Sequence, residues 1–311
     1  MNVKSFCIDH PAATLLLALF IVCGAVSISA MWSDLPHQAL ASALTALLSL
    51  ALLQLALFGG MRKTSVPGEG AWTAVSVGVV CAGIAGGAAS LLFLLVAEHT
   101  VFLGIDVEPL SAVVRVLLVL IVCLGTGVYE EALFRGLAIP CLMRAFEPVG
   151  DDSRTHGELP SRRTGTEHTA KTPPTRFTPL VKAAAVSAVL FSVLHLSGAD
   201  AVAELTAAGS TYVAAVVALQ LVLKLLEGLL FGICMAYLYV KNGSIWQPAL
   251  VHGVFDLCVL GPQLFATGSV PSTYLTGSWS DAFAVLAVVI VLIPAAAVSI
   301  KRLASVKEHS L

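Results

Sequence analysis

Three short strings in this chain carry residues able to do chemistry together. Tyr129-Glu130-Glu131-Ala132-Leu133-Phe134-Arg135-Gly136 holds two adjacent carboxylates and an arginine. Phe191-Ser192-Val193-Leu194-His195 ends on a histidine, and Trp246-Gln247-Pro248 opens a string that runs on to His252 and Asp256. A carboxylate can act as general base for water. One histidine can orient that water, and the other, with Asp256, can supply hydrogen bonds to a developing oxyanion. The set suits peptide hydrolysis.

Spacing sorts the roles within each string. Adjacent residues of a helix point about 100° apart, so Glu130 and Glu131 do not share a face. Glu131 and Arg135, four apart, are stacked neighbours suited to a salt bridge. The economical reading makes that pair structural and turns Glu130 towards a cavity. His252 and Asp256 are also four apart and can face the same cavity. Lys224 and Glu227, three apart, read as a self-satisfied ion pair, and Arg115 as a snorkelling side chain or the partner of an acidic neighbour.

The elements that must position these residues are membrane helices. Of 311 residues, 58% are hydrophobic and 12% charged, against about a quarter charged in soluble domains. The mean hydropathy is +0.92. A net charge of −2 gives no reason to expect nucleic acid or an acidic partner. A helix needs about 20 apolar residues to cross the hydrocarbon core. Eight runs qualify, at 12–32, 38–58, 72–97, 110–129 (with a possible continuation to 145), 179–196, 211–240, 246–262 and 281–300. The expectation is an all-α polytopic bundle of about eight transmembrane helices, forming a single membrane domain over 1–311.

Lysine and arginine test that count, because cytoplasmic loops collect them. With the N-terminus inside, 14 of the 17 basic residues fall on the inner side, among them Arg62, Lys63, Arg144, Lys182, Lys241, Lys301 and Arg302. The outer loops hold Asp34, Glu98, Asp106, Glu108, Asp200, Glu204 and Asp281, and no lysine or arginine. Both termini are then cytoplasmic, in a multi-pass protein of the plasma (inner) membrane. At about 1.5 Å per residue, Glu130 lies about 21 Å from Arg144 and His195 about 20 Å from Lys182. His252 and Asp256 lie about 16 Å and 22 Å from Lys241. The three strings therefore carry their polar groups at one depth and can converge. Ionisable groups at that depth are functional-site candidates by default.

The stretch 147–178, rich in Arg, Thr, Pro and acidic residues, reads as a flexible cytoplasmic loop. Ser27-Ile28-Ser29-Ala30 loosely resembles a signal cleavage site, but the apolar run before it is long for a signal core, so the first helix is expected to be retained. The seven cysteines, with no CxxC spacing, read as small apolar residues. Gly83 and Gly87, four apart, fit a close helix–helix contact.

Taken together, Glu130-Glu131-x-x-x-Arg135, Phe191-x-x-x-His195 and His252-x-x-x-Asp256, in this order on separate membrane helices, resemble the CPBP family of intramembrane proteases. That family includes the CAAX-prenyl endopeptidases and bacterial relatives linked to bacteriocin maturation or immunity. The Glu-Glu-Ala-Leu-Phe-Arg-Gly string and the Trp-x-Pro before His252 strengthen the likeness, which covers about residues 110–262, the core helices of the expected catalytic unit. The resemblance implies that Glu130 and His195 activate the hydrolytic water while His252 and Asp256 hold the oxyanion, with Glu131 and Arg135 in support. Family members often carry Asn at the last position; an Asp donates only when protonated, and otherwise orients His252 or accepts.

The resemblance favours a metal-independent glutamate mechanism with no cofactor. Glu130, His195 and His252 are also a legitimate zinc set, so a zinc-dependent mechanism is the alternative. The expected partners are the lipid bilayer and a membrane-associated peptide or protein substrate, with no nucleic acid. Two other function classes stand beside the peptidase: a non-catalytic immunity or scaffolding member of the same fold, and a proton-coupled transporter. The transporter predicts inverted repeats and broken helices, and the sequence shows neither clearly.

Overall fold

The computed structural model describes residues 6, 9–29, 34–58, 73–97, 109–146, 179–196, 211–268 and 275–305. Residues 147–178, read above as a cytoplasmic loop, lie outside the described residues. So do many of the loop charges that orient the chain, and Ala30 of the cleavage-like string.

The described residues are helical throughout the bundle. In chain order they form α1 (Pro11–Ser29), α2 (Leu35–Phe58), α3 (Ala74–Ala97), α4 (Pro109–Glu131), a π-helical segment (Ala132–Ala138), α5 (Ile139–Phe146), α6 (Pro179–Leu194), α7 (Thr211–Asn242), α8 (Trp246–Val259), α9 (Gly261–Thr267) and α10 (Trp279–Ala304). Each of the eight apolar runs has a helix. Six are long and apolar enough to cross a membrane, and the bent pair α8–α9 makes up to seven. The remaining one, α6, has 16 residues, about 24 Å of helix against a hydrocarbon core of about 30 Å. The chain is a multi-pass membrane protein.

Its outer surface fits that reading. Leu16, Leu17 and Phe20 of α1 and Ile290 and Ile293 of α10 are exposed, which a bilayer makes favourable and water would not. Helix ends carry the expected anchors. Tyr212 opens α7 and Trp279 opens α10, their rings 6.5 Å apart, while Lys241 closes α7 and Lys301 and Arg302 close α10. Trp279 and Lys301 are about 33 Å apart along the helix, the height of an interface-to-interface span. Ser278 caps α10 by accepting from the Asp281 amide, which satisfies an orphan donor at a helix start.

Inside, α3 packs on α10 and α8, α4 on α2 and α8, and α7 on α6 and α10. Small residues allow the closest approaches. A Cβ on Gly87 would sit 2.1 Å from the Cys258 carbonyl oxygen, and one on Gly83 3.1 Å from Phe255, so the two glycines singled out from sequence seat α3 against α8. Gly243, at φ 61°, takes the left-handed conformation that ends α7 and turns the chain into α8. The sequence reading found no clear broken helix, yet α8 and α9 meet at 53°. Gly261-Pro262 accounts for the break, since Pro suits a first helical turn better than a helix interior. Among the described cysteines, Cys123, Cys141 and Cys234 are buried as expected, Cys23 and Cys258 are partly buried, and Cys81 is exposed.

Candidate active site

Glu130 and Glu131 are the last residues of α4, and the helix loosens into the π segment directly after them. All seven residues of that segment are buried. A π turn shifts the register of the side chains beyond it and recurs at functional sites. Its backbone is tied to a neighbour: the Ser187 hydroxyl of α6 donates to the Phe134 carbonyl at 2.6 Å.

The fully buried Arg135, within the π segment, donates through Nη1 to Glu131 Oε1 at 2.8 Å. Through Nη2 it reaches the Gly232 carbonyl of α7 at 3.2 Å. Its guanidinium also lies 4.5 Å from the centre of the Phe191 ring, within cation–π range. The expected Glu131–Arg135 salt bridge is present, but Glu131 does more than pair. His252 Nδ1 on α8 lies 2.8 Å from the same Oε1. Nothing in sequence pointed to that contact, because the two residues are 121 positions apart.

Glu130 turns the other way. Its Oε1 accepts from the Tyr129 hydroxyl at 3.1 Å. Its Oε2 lies 3.4 Å from His195 Nε2 and 3.6 Å from His252 Nε2. Asp256 Oδ2 is 3.6 Å from that same His252 nitrogen. The structure thus brings Glu130, Glu131, Arg135, His195, His252 and Asp256 into one cluster, built from α4, the π segment, the end of α6, and α8. His195 is 25% exposed while His252 is 3% exposed, so the cluster opens on the His195 side.

Hydrogen bonding fixes which ring nitrogens face inward. His195 Nδ1 lies 2.8 Å from the Phe191 carbonyl. A carbonyl only accepts, so Nδ1 carries the hydrogen and a neutral ring presents a lone pair at Nε2. His252 Nδ1 likewise donates to Glu131, leaving Nε2 for the cluster. Aromatic packing holds both rings: Phe191 sits 4.1 Å from the His195 ring centre and Phe231 sits 4.7 Å from that of His252. Tyr129 and Phe231 were not singled out from sequence. Tyr129 was visible there only as the neighbour of Glu130.

Two other charges behave differently. Lys224 and Glu227 form the expected pair at 2.9 Å. Among the described residues Arg115 has no acidic ion-pair partner; its Nη1 donates to the Phe265 carbonyl of α9 at 3.1 Å, a helix-end oxygen short of an intrahelical partner. For the zinc alternative, no group of three or more His, Cys, Asp or Glu side chains among the described residues is placed to hold a metal ion.

With the cluster in view, the comparison with known proteins bears on it directly. Residues 112–258 match the model of a family described as type II CAAX prenyl endopeptidase Rce1-like. This segment is similar to that family. The match agrees with the CPBP resemblance and contains all six residues of the cluster. It leaves α1, α2, α3, α9 and α10 outside. The matched family is one of peptidases, and six helices of the chain are long and apolar enough to cross a membrane. No curated protein and no solved structure gives a significant match to the chain.

Proposed function

We propose that the protein is an intramembrane endopeptidase of the glutamate type, cutting a peptide bond of a membrane-associated substrate reached from the cytoplasmic side of the plasma (inner) membrane. The catalytic core is 110–262 within a single membrane domain over 1–311. The observation that carries the reading is the position of Glu130 Oε2, which lies within 3.6 Å of two imidazole nitrogens from two other helices.

Those distances suit a water molecule shared between Glu130 Oε2 and His195 Nε2, both of which can accept its hydrogens. As the water oxygen attacks the scissile carbonyl carbon, its proton passes to Glu130. The new oxyanion forms on the side of His252 and Asp256. With Nδ1 committed to Glu131, His252 has Nε2 left for that oxygen and donates from it when the ring is protonated. Asp256 donates in its protonated form; as a carboxylate it orients His252 instead. Glu130 then returns the proton to the departing nitrogen and the C–N bond breaks. The reaction uses this chain's own side chains and no metal or cofactor.

A non-catalytic immunity or scaffolding protein of the same fold would keep the cluster without the reaction, and a proton-coupled transporter would use it to carry protons. Comparative peptidomics of membranes carrying wild type or Glu130→Gln at matched expression tests the proposal. New peptide termini present in wild type and missing in the variant support it and reveal the substrate. Identical peptide sets from two folded proteins would move the assignment to the scaffold.

A further inference from the structure

Three cations lie inside the predicted membrane helices: Arg115, Arg135 and Lys224. Arg135 has Glu131 at 2.8 Å and Lys224 has Glu227 at 2.9 Å. Arg115 differs, because its bond is to the neutral Phe265 carbonyl. Among the described residues no carboxylate forms an ion pair with it. Asp34, next in sequence to Leu35 beside it, is taken by His37 at 2.6 Å. A carbonyl dipole satisfies one N–H, and among the described residues no countercharge meets the rest of the fork, which is costly at the edge of a bilayer.

Arg115 faces an open pocket of about 590 Å³ lined also by Ser111 and by Leu35, Pro36, Val114, Leu118 and Gly268. Its floor is fixed by the Leu35 amide, which donates to the Gly268 carbonyl at 2.9 Å. Arg115 stands six residues into α4, about 9 Å from the helix start, in the interfacial layer rather than the core. Val114, one residue away, is 46% exposed, so the apolar wall continues onto the outer face of the bundle.

We propose that this cavity binds a phospholipid, with its phosphate on the Arg115 guanidinium and its glycerol and first methylenes along Val114, Leu118 and Leu35. The planar fork of arginine matches phosphate oxygens two at a time. The apolar lining selects a lipid over inorganic phosphate, which would leave those side chains wet. The site is separate from the peptidase cluster: Arg115 and Glu130 are about 22 Å apart along α4.

The test is native mass spectrometry of the full chain, delipidated in detergent and then offered phosphatidylglycerol. Two variants divide the site. Arg115→Gln removes the charge but keeps an amide donor for the Phe265 carbonyl, and Val114→Trp fills the cavity while keeping the charge. Wild type is expected to retain about tenfold more lipid than Arg115→Gln, the worth of a charge-assisted contact. Val114→Trp is expected to lose the lipid as well, and inorganic phosphate in excess to displace none of it. Equal retention by wild type and a folded Arg115→Gln overturns the proposal. Displacement by inorganic phosphate does so too, assigning a free-anion site instead. If Arg115→Gln does not fold, Val114→Trp decides, and undiminished retention there refutes the site.

Discussion

Glu131 Oε1 accepts a hydrogen bond from His252 Nδ1 at 2.8 Å, joining the end of α4 to the middle of α8. The same oxygen holds Arg135 at 2.8 Å. One buried carboxylate oxygen therefore compensates a guanidinium and orients an imidazole. Arg135 extends the chain of contacts through the Phe191 ring, and the Phe191 carbonyl holds His195. Both histidines of the cluster are connected, through two paths, to one arginine.

Removing that arginine is costly. Arg135→Ala leaves Glu131 buried and half-compensated, and breaking a buried pair in this way costs about 3–5 kcal/mol. Detergent-purified Arg135→Ala is expected to melt well below wild type and to give a low folded yield. Glu131→Gln keeps an amide oxygen to accept from His252 but leaves the buried Arg135 without its countercharge, so it too is expected to lose folded yield. A normal melting curve for Arg135→Ala would remove the arginine from its central position.

Tyr129 gives a sharper test of Glu130. Its hydroxyl occupies Oε1, which leaves Oε2 as the oxygen turned to His195 and His252. Tyr129→Phe removes the hydroxyl with little change in volume. Turnover is expected to fall about tenfold, the worth of one hydrogen bond to a charged group. KM and melting temperature should stay near wild type. A variant with full turnover would show that Glu130 needs no such support.

How far these contacts could be read from sequence follows from their range. Hydropathy runs and the basic side of the loops gave the bundle, because a bilayer imposes length and charge rules on every span. Four-residue spacing gave Glu131–Arg135 and His252–Asp256, because both lie within one helical stretch. Common depth gave the convergence of the three strings. The Glu131–His252 bond was hidden because it joins two helices whose rotation about their own axes no local pattern sets. The π segment was hidden because it uses the residue types of an α-helix. Arg115 was left between snorkelling and an acidic partner because sequence shows charges and does not show which helix-end carbonyl lies nearby. The α8–α9 bend is the instructive miss, since Gly261-Pro262 was in plain view inside a run read as one helix.

Packing between α3 and α8 makes a prediction away from the cluster. Gly87→Val places atoms into the Cys258 carbonyl, which already lies 2.1 Å from where a Cβ would be. Either α8 shifts or the contact opens, and α8 carries His252 and Asp256. Ala88→Val, on the exposed side of the same helix, is the matched control. Gly87→Val is expected to lose folded protein while Ala88→Val behaves as wild type, as read by size-exclusion profile and melting temperature. Equal behaviour of the two would mean that the approach of α3 to α8 is looser than the structure has it.

A chelator separates two uses of the same atoms. In the proposed mechanism Glu130 Oε2 and His195 Nε2 hold water, and His252 Nε2 meets the oxyanion. In a zinc enzyme all three would be ligands, and the metal would supply the acidity of the water. Once a cleaved peptide is in hand from the comparison of wild type and Glu130→Gln, turnover can be followed after dialysis against a strong chelator. The glutamate mechanism predicts unchanged turnover and no response to added zinc. Loss of turnover on dialysis, restored by zinc at stoichiometric amounts, would reassign Glu130, His195 and His252 as a metal site.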